Sequence, residues 1–221
     1  MASKVKAMQR PRKSSAPANA TIAVMKAHDI GKVTFAGSAV DDPEILSLLP
    51  DELTSLLRDT NGFVLFHGGL HVRGAVCSPE WHSIRAMMEG EEALHKQYAS
   101  VMQTDIPFAE DCVGDQFLLR VGEVWSLRAE TGDIEKTAGS LGMFWAAIAK
   151  DPFEALNFNP DLRLEPGQLF HAYPPFCTKE SKGGVKLKPV PALELIRFHA
   201  DFAKQLAALP DGTSINVKVV D

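Results

Sequence analysis

The chain has 221 residues, 45% of them apolar and 8% aromatic, which suits one soluble domain with a sizeable core. Its formal net charge is −5, but the first 20 residues hold Lys4, Lys6, Arg10, Arg12 and Lys13 and no acid, so the rest sets 18 basic against 28 acidic side chains. An acidic body excludes direct nucleic-acid binding as the main activity, because phosphate contacts need clustered Lys and Arg. No apolar run approaches the roughly 18 residues of a membrane span, and the start lacks the apolar centre of a secretory signal. Three widely spaced cysteines, Cys77, Cys112 and Cys177, with no Cys-x-x-Cys pair, fit reduced thiols and a cytoplasmic location.

Residues 1–20, rich in Pro, Ser and Lys, read as a disordered basic arm, with order expected from Thr21. Ile45, Leu46 and Leu49 lead to Pro50, and Leu53, Leu56 and Leu57 continue at helical spacing until Asn61-Gly62. GFVLF and GLHVRGAV are strand-like, with His67-Gly68-Gly69 as the turn between them. Ser78-Pro79-Glu80 has the form of a helix start, with Trp81, Ile84, Met87 and Met88 on one face and a second short helix near 91–99. Ile106-Pro107-Phe108 is a short strand. Phe117, Leu119 and Val121 then alternate with Gln116, Leu118 and Arg120, and Gly122-Glu123 has the form of a tight hairpin turn before a strand from Val124 to Arg128. A polar loop is expected over 129–139. Ser140 caps a helix carrying Leu141, Phe144, Trp145 and Ile148. Strands near 167–172 and 185–190, a long helix over 192–209 and a last strand over 214–220 follow. In that helix Leu195, Phe198, Phe202, Leu206 and Leu209 make the apolar stripe. Consecutive hairpins imply antiparallel pairing. The fold class is α+β: an antiparallel-rich sheet packed by helices over 21–156, with a C-terminal strand-helix-strand extension over 157–221 packed on the same domain.

Three landmarks in order carry a resemblance. They are Leu49-Pro50 to Asn61-Gly62, then Ile106-Pro107-Phe108-Ala109 with Gly114-Asp115-Gln116-Phe117, then Gly122-Glu123-Val124 before the Leu141, Phe144, Trp145 helix. Over residues 43–150 the chain resembles the SUKH superfamily, which includes the yeast Smi/Knr cell-wall assembly regulators. The resemblance implies an α+β domain without enzyme chemistry. Many bacterial members are immunity proteins that neutralise toxins by binding them, and eukaryotic members act in regulation and cell-wall synthesis.

The candidate sites are weighed on that background. Glu110, Asp111 and Asp115 form an acidic loop, but three acids without the twelve-residue calcium pattern do not make a metal site. Gly114-Asp115 reads as a structural turn in which the carboxylate accepts backbone N–H groups. Glu110 and Asp111, with Glu130 and Asp133 from the following loop, make an acidic partner-binding surface, and Trp125, opposite in facing to Val124, is an interface anchor unless the extension covers it. His67, His71, Cys77 and His82 lack the regular spacing of a zinc site and read as surface or boundary residues. His171 and Cys177 would serve a hydrolase, but no oxyanion donor or orienting Asn or Asp accompanies them. No metal, cofactor or catalytic residue is expected. The expected function is non-enzymatic protein binding: immunity against a basic toxin, or, as the rival, a regulatory scaffold of envelope metabolism docking through the stripe from Leu195 to Leu209.

Overall fold

The computed structural model describes residues 25–156, 161 and 163–210. The basic arm and the strand expected over 214–220 lie outside them. Seven strands make one sheet in which each pairs antiparallel with the next: β1 (Val33–Ala36), β2 (Phe63–Leu65), β3 (Leu70–Val72), β4 (Ile106–Asp111), β5 (Gln116–Arg120), β6 (Glu123–Leu127) and β7 (Ile134–Ala138). The helices among the described residues are α1 (Ala27–Ile30), α2 (Pro43–Leu48), α3 (Asp51–Asp59), α4 (Ile84–Met88), α5 (Leu94–Gln97), α6 (Leu141–Lys150), α7 (Pro152–Leu156) and α8 (Ala192–Ala207). A separate antiparallel pair, β8 (Gln168–Tyr173) and β9 (Lys186–Pro191), precedes α8. The architecture is α+β, with an antiparallel sheet packed by helices.

Local chemistry sets several of these boundaries. The Asp42 carboxylate accepts the Ile45 N–H at 3.1 Å, and Pro43 occupies the first turn of α2. Pro50 stands just outside α3 as its N-cap, with Asp51 and Glu52 facing the positive end of the helix dipole. Ser140 caps α6 through the Met143 N–H at 3.2 Å.

The central strands β2 to β5 are buried on both faces. Phe63, Leu65, Leu70, Val72, Phe108, Phe117, Leu119 and Val124 point one way, into a cluster completed by α2, α3 and α6. There Trp145, 1% exposed, meets Phe108 edge-on with ring centroids 5.7 Å apart. Leu118 and Leu127 point the other way and pack, with Trp125, against Leu195, Ile196, Ala200 and Ala203 of α8. Because both faces are covered, β5 reads Phe-Leu-Leu rather than as an apolar-polar alternation.

Four expectations are corrected. The β5–β6 turn is Val121-Gly122, with φ of +50° and +81°, one residue earlier than Gly122-Glu123. The polar stretch 129–139 contains a seventh strand, β7, exposed along its middle. Glu80–His82 forms only a 3-10 turn, and α4 begins after Ser83, whose hydroxyl caps it through Ala86 N–H at 3.2 Å. The buried seam of α8 is Leu195, Ile196, His199, Ala200, Phe202 and Ala203, while Leu209 is exposed. Two of the five residues of the expected docking stripe, Leu195 and Phe202, are therefore buried.

Candidate functional site

Strand register brings the first set of polar side chains together. Val64, His71, Glu110, Gln116 and Leu127 are direct cross-strand partners in one row across β2 to β6, and they face away from the α3–α6 side. His71 Nδ1 lies 2.9 Å from Glu110 Oε1. Arg73, fully buried, donates to Glu110 Oε2 at 2.6 Å, to Gln116 Oε1 at 2.7 Å and to the Pro107 carbonyl at 3.2 Å. Gln116 Nε2 donates to Glu110 Oε2 at 3.0 Å and to the Gly114 carbonyl at 2.7 Å. His71 Nε2 meets His82 Nδ1 at 2.8 Å, and His82 Nε2 meets the Asn61 carbonyl at 3.2 Å. Trp81 covers the His71 ring. Burial opposes ionisation of Glu110, but Arg73, then His71 and Gln116, outweigh it and bring its carboxyl down to about 2. Burial pushes His71 down against the pull of Glu110, and it holds His82 at about 4.

Two sequence readings fail here. Glu110, expected on a partner-binding surface, is 1% exposed and fully engaged, because its register position faces the interior. His71 and His82, expected as surface or boundary residues, are buried and bonded to each other. Arg73 was not singled out, and Asn61 and Gln116 were named only as a helix end and as landmarks of the resemblance. A charged residue inside the apolar run HVRGAV was the available signal for Arg73, since Arg is seldom buried without a partner.

One residue further along β4 the chain leaves this interior. The β4–β5 and β6–β7 connections lie at the same end of the sheet, opposite the exposed Val121-Gly122 turn. Asp111 Oδ1 accepts the Val113 and Asp115 N–H groups at 2.9 and 3.0 Å, and Gly114 takes φ +91°. The carboxylate that ties this turn is thus Asp111. Asp115 reaches across to the next hairpin, accepting Ala129 N–H at 2.8 Å and pairing with Arg128 at 3.0 Å. Glu130 in turn fixes the segment after β8, accepting the Phe176 and Cys177 N–H groups at 3.0 and 2.8 Å. Asp133 is exposed and accepts the Thr131 hydroxyl at 2.7 Å.

These acids surround an open cleft of about 490 Å³, within the range of ligand sites, whose walls include Asp111, Asp115, Glu130, Asp133, Phe170, Phe176 and His199. Burial, and then the charge of Asp115, raise the Asp111 carboxyl well above the usual carboxylate range. Burial holds His199 at about 4. Burial and the neighbouring Glu130 push the Cys177 thiol up to about 12, the reverse of what an activated nucleophile needs. His171 lies against Phe198, with ring centroids 4.8 Å apart. Trp125 is half-buried: α8 covers one side, and the Arg120 guanidinium stands 5.2 Å from its ring centre. Of the partner-binding candidates, Asp111, Glu130 and Asp133 therefore converge on the cleft. Glu110 and Trp125 do not line it. His199, deep in the wall, was missed because α8 was read for its leucine and phenylalanine stripe.

Among the described residues no group of three or more His, Cys, Asp or Glu is placed to hold a metal ion, and no helix is long and apolar enough to cross a membrane. No protein-family model and no curated protein matches the chain. Among solved structures, the crystal structure of Atu4351 from Agrobacterium tumefaciens aligns with a TM-score of 0.45 and 16% identity, covering 82% of this chain and 83% of that one.

Proposed function

We propose that the protein is a non-enzymatic binding module that captures a basic protein partner at the acidic end of its sheet, and that its use is immunity, the neutralisation of a toxin by direct binding. The observation that carries this reading is the convergence of Asp111, Asp115, Glu130 and Asp133 on one open cleft. The cation in that wall, Arg128, is already tied to Asp115 and Glu135, each at 3.0 Å. A surface of this sign raises the association rate of a basic partner and repels acidic ones. Toxins that cleave nucleic acid carry basic surfaces for their substrate, so an acidic inhibitor suits them. The SUKH resemblance over 43–150 favours the same use. The Cys177 thiol, held protonated, speaks against hydrolysis through His171 and Cys177. The buried seam of α8 speaks against a scaffold docking through that helix.

The test is to look for a toxin gene beside this one and to co-express the two; absence of any such gene counts against the immunity role. The wild-type chain restores growth. A variant carrying Asp133→Lys and Glu135→Lys, both at exposed positions, stays folded and protects at least tenfold less. Cells that die in the presence of abundant, folded wild-type protein would refute the immunity role.

A further inference from the structure

We infer that the cleft receives a single arginine side chain of the partner, its guanidinium against Asp111 and His199 and its stem along Phe170 and Phe176. This assignment rests on the binding reading above and names what the cleft itself takes. Its starting point is an unmatched pair of acceptors. His199 is 3% exposed, and its Nδ1 has no hydrogen-bond partner. Buried polar atoms are nearly always bonded, so an orphan in a cleft wall points to a group that arrives from outside. With the ring neutral and its proton on Nε2, the Nδ1 lone pair is the unmatched acceptor. Asp111 gives both of its turn hydrogen bonds through Oδ1, and Oδ2 has no partner among the described residues.

The other acids of the wall are committed to their own loops: Asp115 to Arg128 and Ala129, and Glu130 to the 176–177 backbone. They supply negative potential without being free to rearrange. The occupant must therefore be cationic and rich in donors. A divalent cation is disfavoured because no three ligands converge among the described residues. An anion is disfavoured by the sign of the wall. The two acceptors distinguish arginine from lysine, because a planar guanidinium presents fixed in-plane donors to Asp111 and His199 at once while its stem lies along the phenyl rings.

A proton is linked to the binding. Asp111 shares the cleft wall with the carboxylates Asp115, Glu130 and Asp133, the Arg128 guanidinium, the His199 ring and the Cys177 thiol, and Cys112 adjoins it in the chain. The charges of Asp115 and, from the other face of β4, Glu110 disfavour its ionisation. An arriving guanidinium reverses that balance, so Asp111 gives up its proton to solvent as the cation enters.

The experiment titrates the peptide acetyl-Gly-Arg-Gly-amide into the whole chain, followed by NMR of the histidine rings and by calorimetry in two buffers of different ionisation heat. The His199 resonances shift, and protons are released. A citrulline peptide of the same shape, lacking the charge, binds at least tenfold more weakly. Asp111→Asn keeps the acceptor for the two turn amides and weakens arginine binding about tenfold, while Asp133→Asn on the rim changes it less than twofold. Equal binding of the citrulline peptide, full affinity in a folded Asp111→Asn variant, or no response at ~10 mM peptide, where a ligand of millimolar Kd is saturating, would each overturn the assignment. The immunity reading would survive such a result, since it is judged by rescue of growth; failed rescue with intact peptide binding would remove immunity and leave the arginine site.

Discussion

Arg73 and Glu110 are a buried ion pair, 0% and 1% exposed in their side chains and 2.6 Å apart. Pairs of this kind add little net stability over an apolar replacement, yet removing one partner strands the other's charge in the interior. Arg73→Met should therefore cost about 3–5 kcal/mol, since it leaves Glu110 with only His71 and Gln116. Glu110→Gln should cost a similar amount for the opposite reason. The double variant should cost clearly less than the sum, because no charge remains and the new amide can donate to His71. Denaturant melts of the four proteins of this cycle measure the coupling, and strict additivity would show that the two groups do not act as a pair. Little of this was legible beforehand. Glu110 and Asp111 are adjacent acids in the sequence and look equivalent. Register alone decides that one is sealed under Trp81 and the other opens on the cleft, and register is set by the β3–β4 pairing across a separation of nearly forty residues.

Elements were more legible where a cap or a period marked them. Ser140 stands at a real helix start, and the Leu53, Leu56, Leu57 spacing faces the core. The misreadings share a cause, which is that packing overrode local pattern. Val121, β-branched and 98% exposed, takes a left-handed conformation because the hairpin's twist demands it at the first turn position. Strand β7 carries no apolar alternation because it is an edge strand paired only to β6. Helix α8 was read by its large residues, but a helix lying close on a sheet uses small ones, and Ala200 and Ala203 occupy the seam beside Leu195. Leu195→Ala should therefore cost about 2–5 kcal/mol, as large-to-small changes in a tight core do. Leu209→Ala, at the exposed end, should stay within about 0.5 kcal/mol. Thermal denaturation separates them, and equal effects would mean that the helix does not seat on Leu118 and Leu127 as described.

At the scale of the whole molecule the buried rings make stability depend on pH in a stated direction. His82 and His199 titrate near 6.5 when unfolded and near 4 when folded, and His71 is displaced the same way. Between those values the unfolded chain binds more protons than the folded one, so the stabilisation present above pH 6.5 is lost as pH falls towards 4, by at most on the order of 3 kcal/mol for each of His82 and His199. Glu110, depressed to about 2, adds a second loss between pH 4.5 and 2. Asp111 opposes both, because its raised carboxyl favours the folded state as acid is added, and so does the raised Glu52 carboxyl, but His67 and His171 are displaced downward together with the three buried rings. The midpoint of urea unfolding should accordingly drop between pH 7 and pH 4.5 with an unchanged slope. The hydrogen-bond chain sharpens the meaning of a failure. Its three contacts, Glu110 to His71, His71 to His82 and His82 to the Asn61 carbonyl, need three protons if all are to be hydrogen bonds, and two neutral rings supply two. A midpoint that stays level or rises on acidification would mean that the third proton is already bound at neutral pH. The row across β3 and β4 would then hold a histidine cation between Glu110 and Asn61, a second full positive charge beside that of Arg73 acting on Glu110.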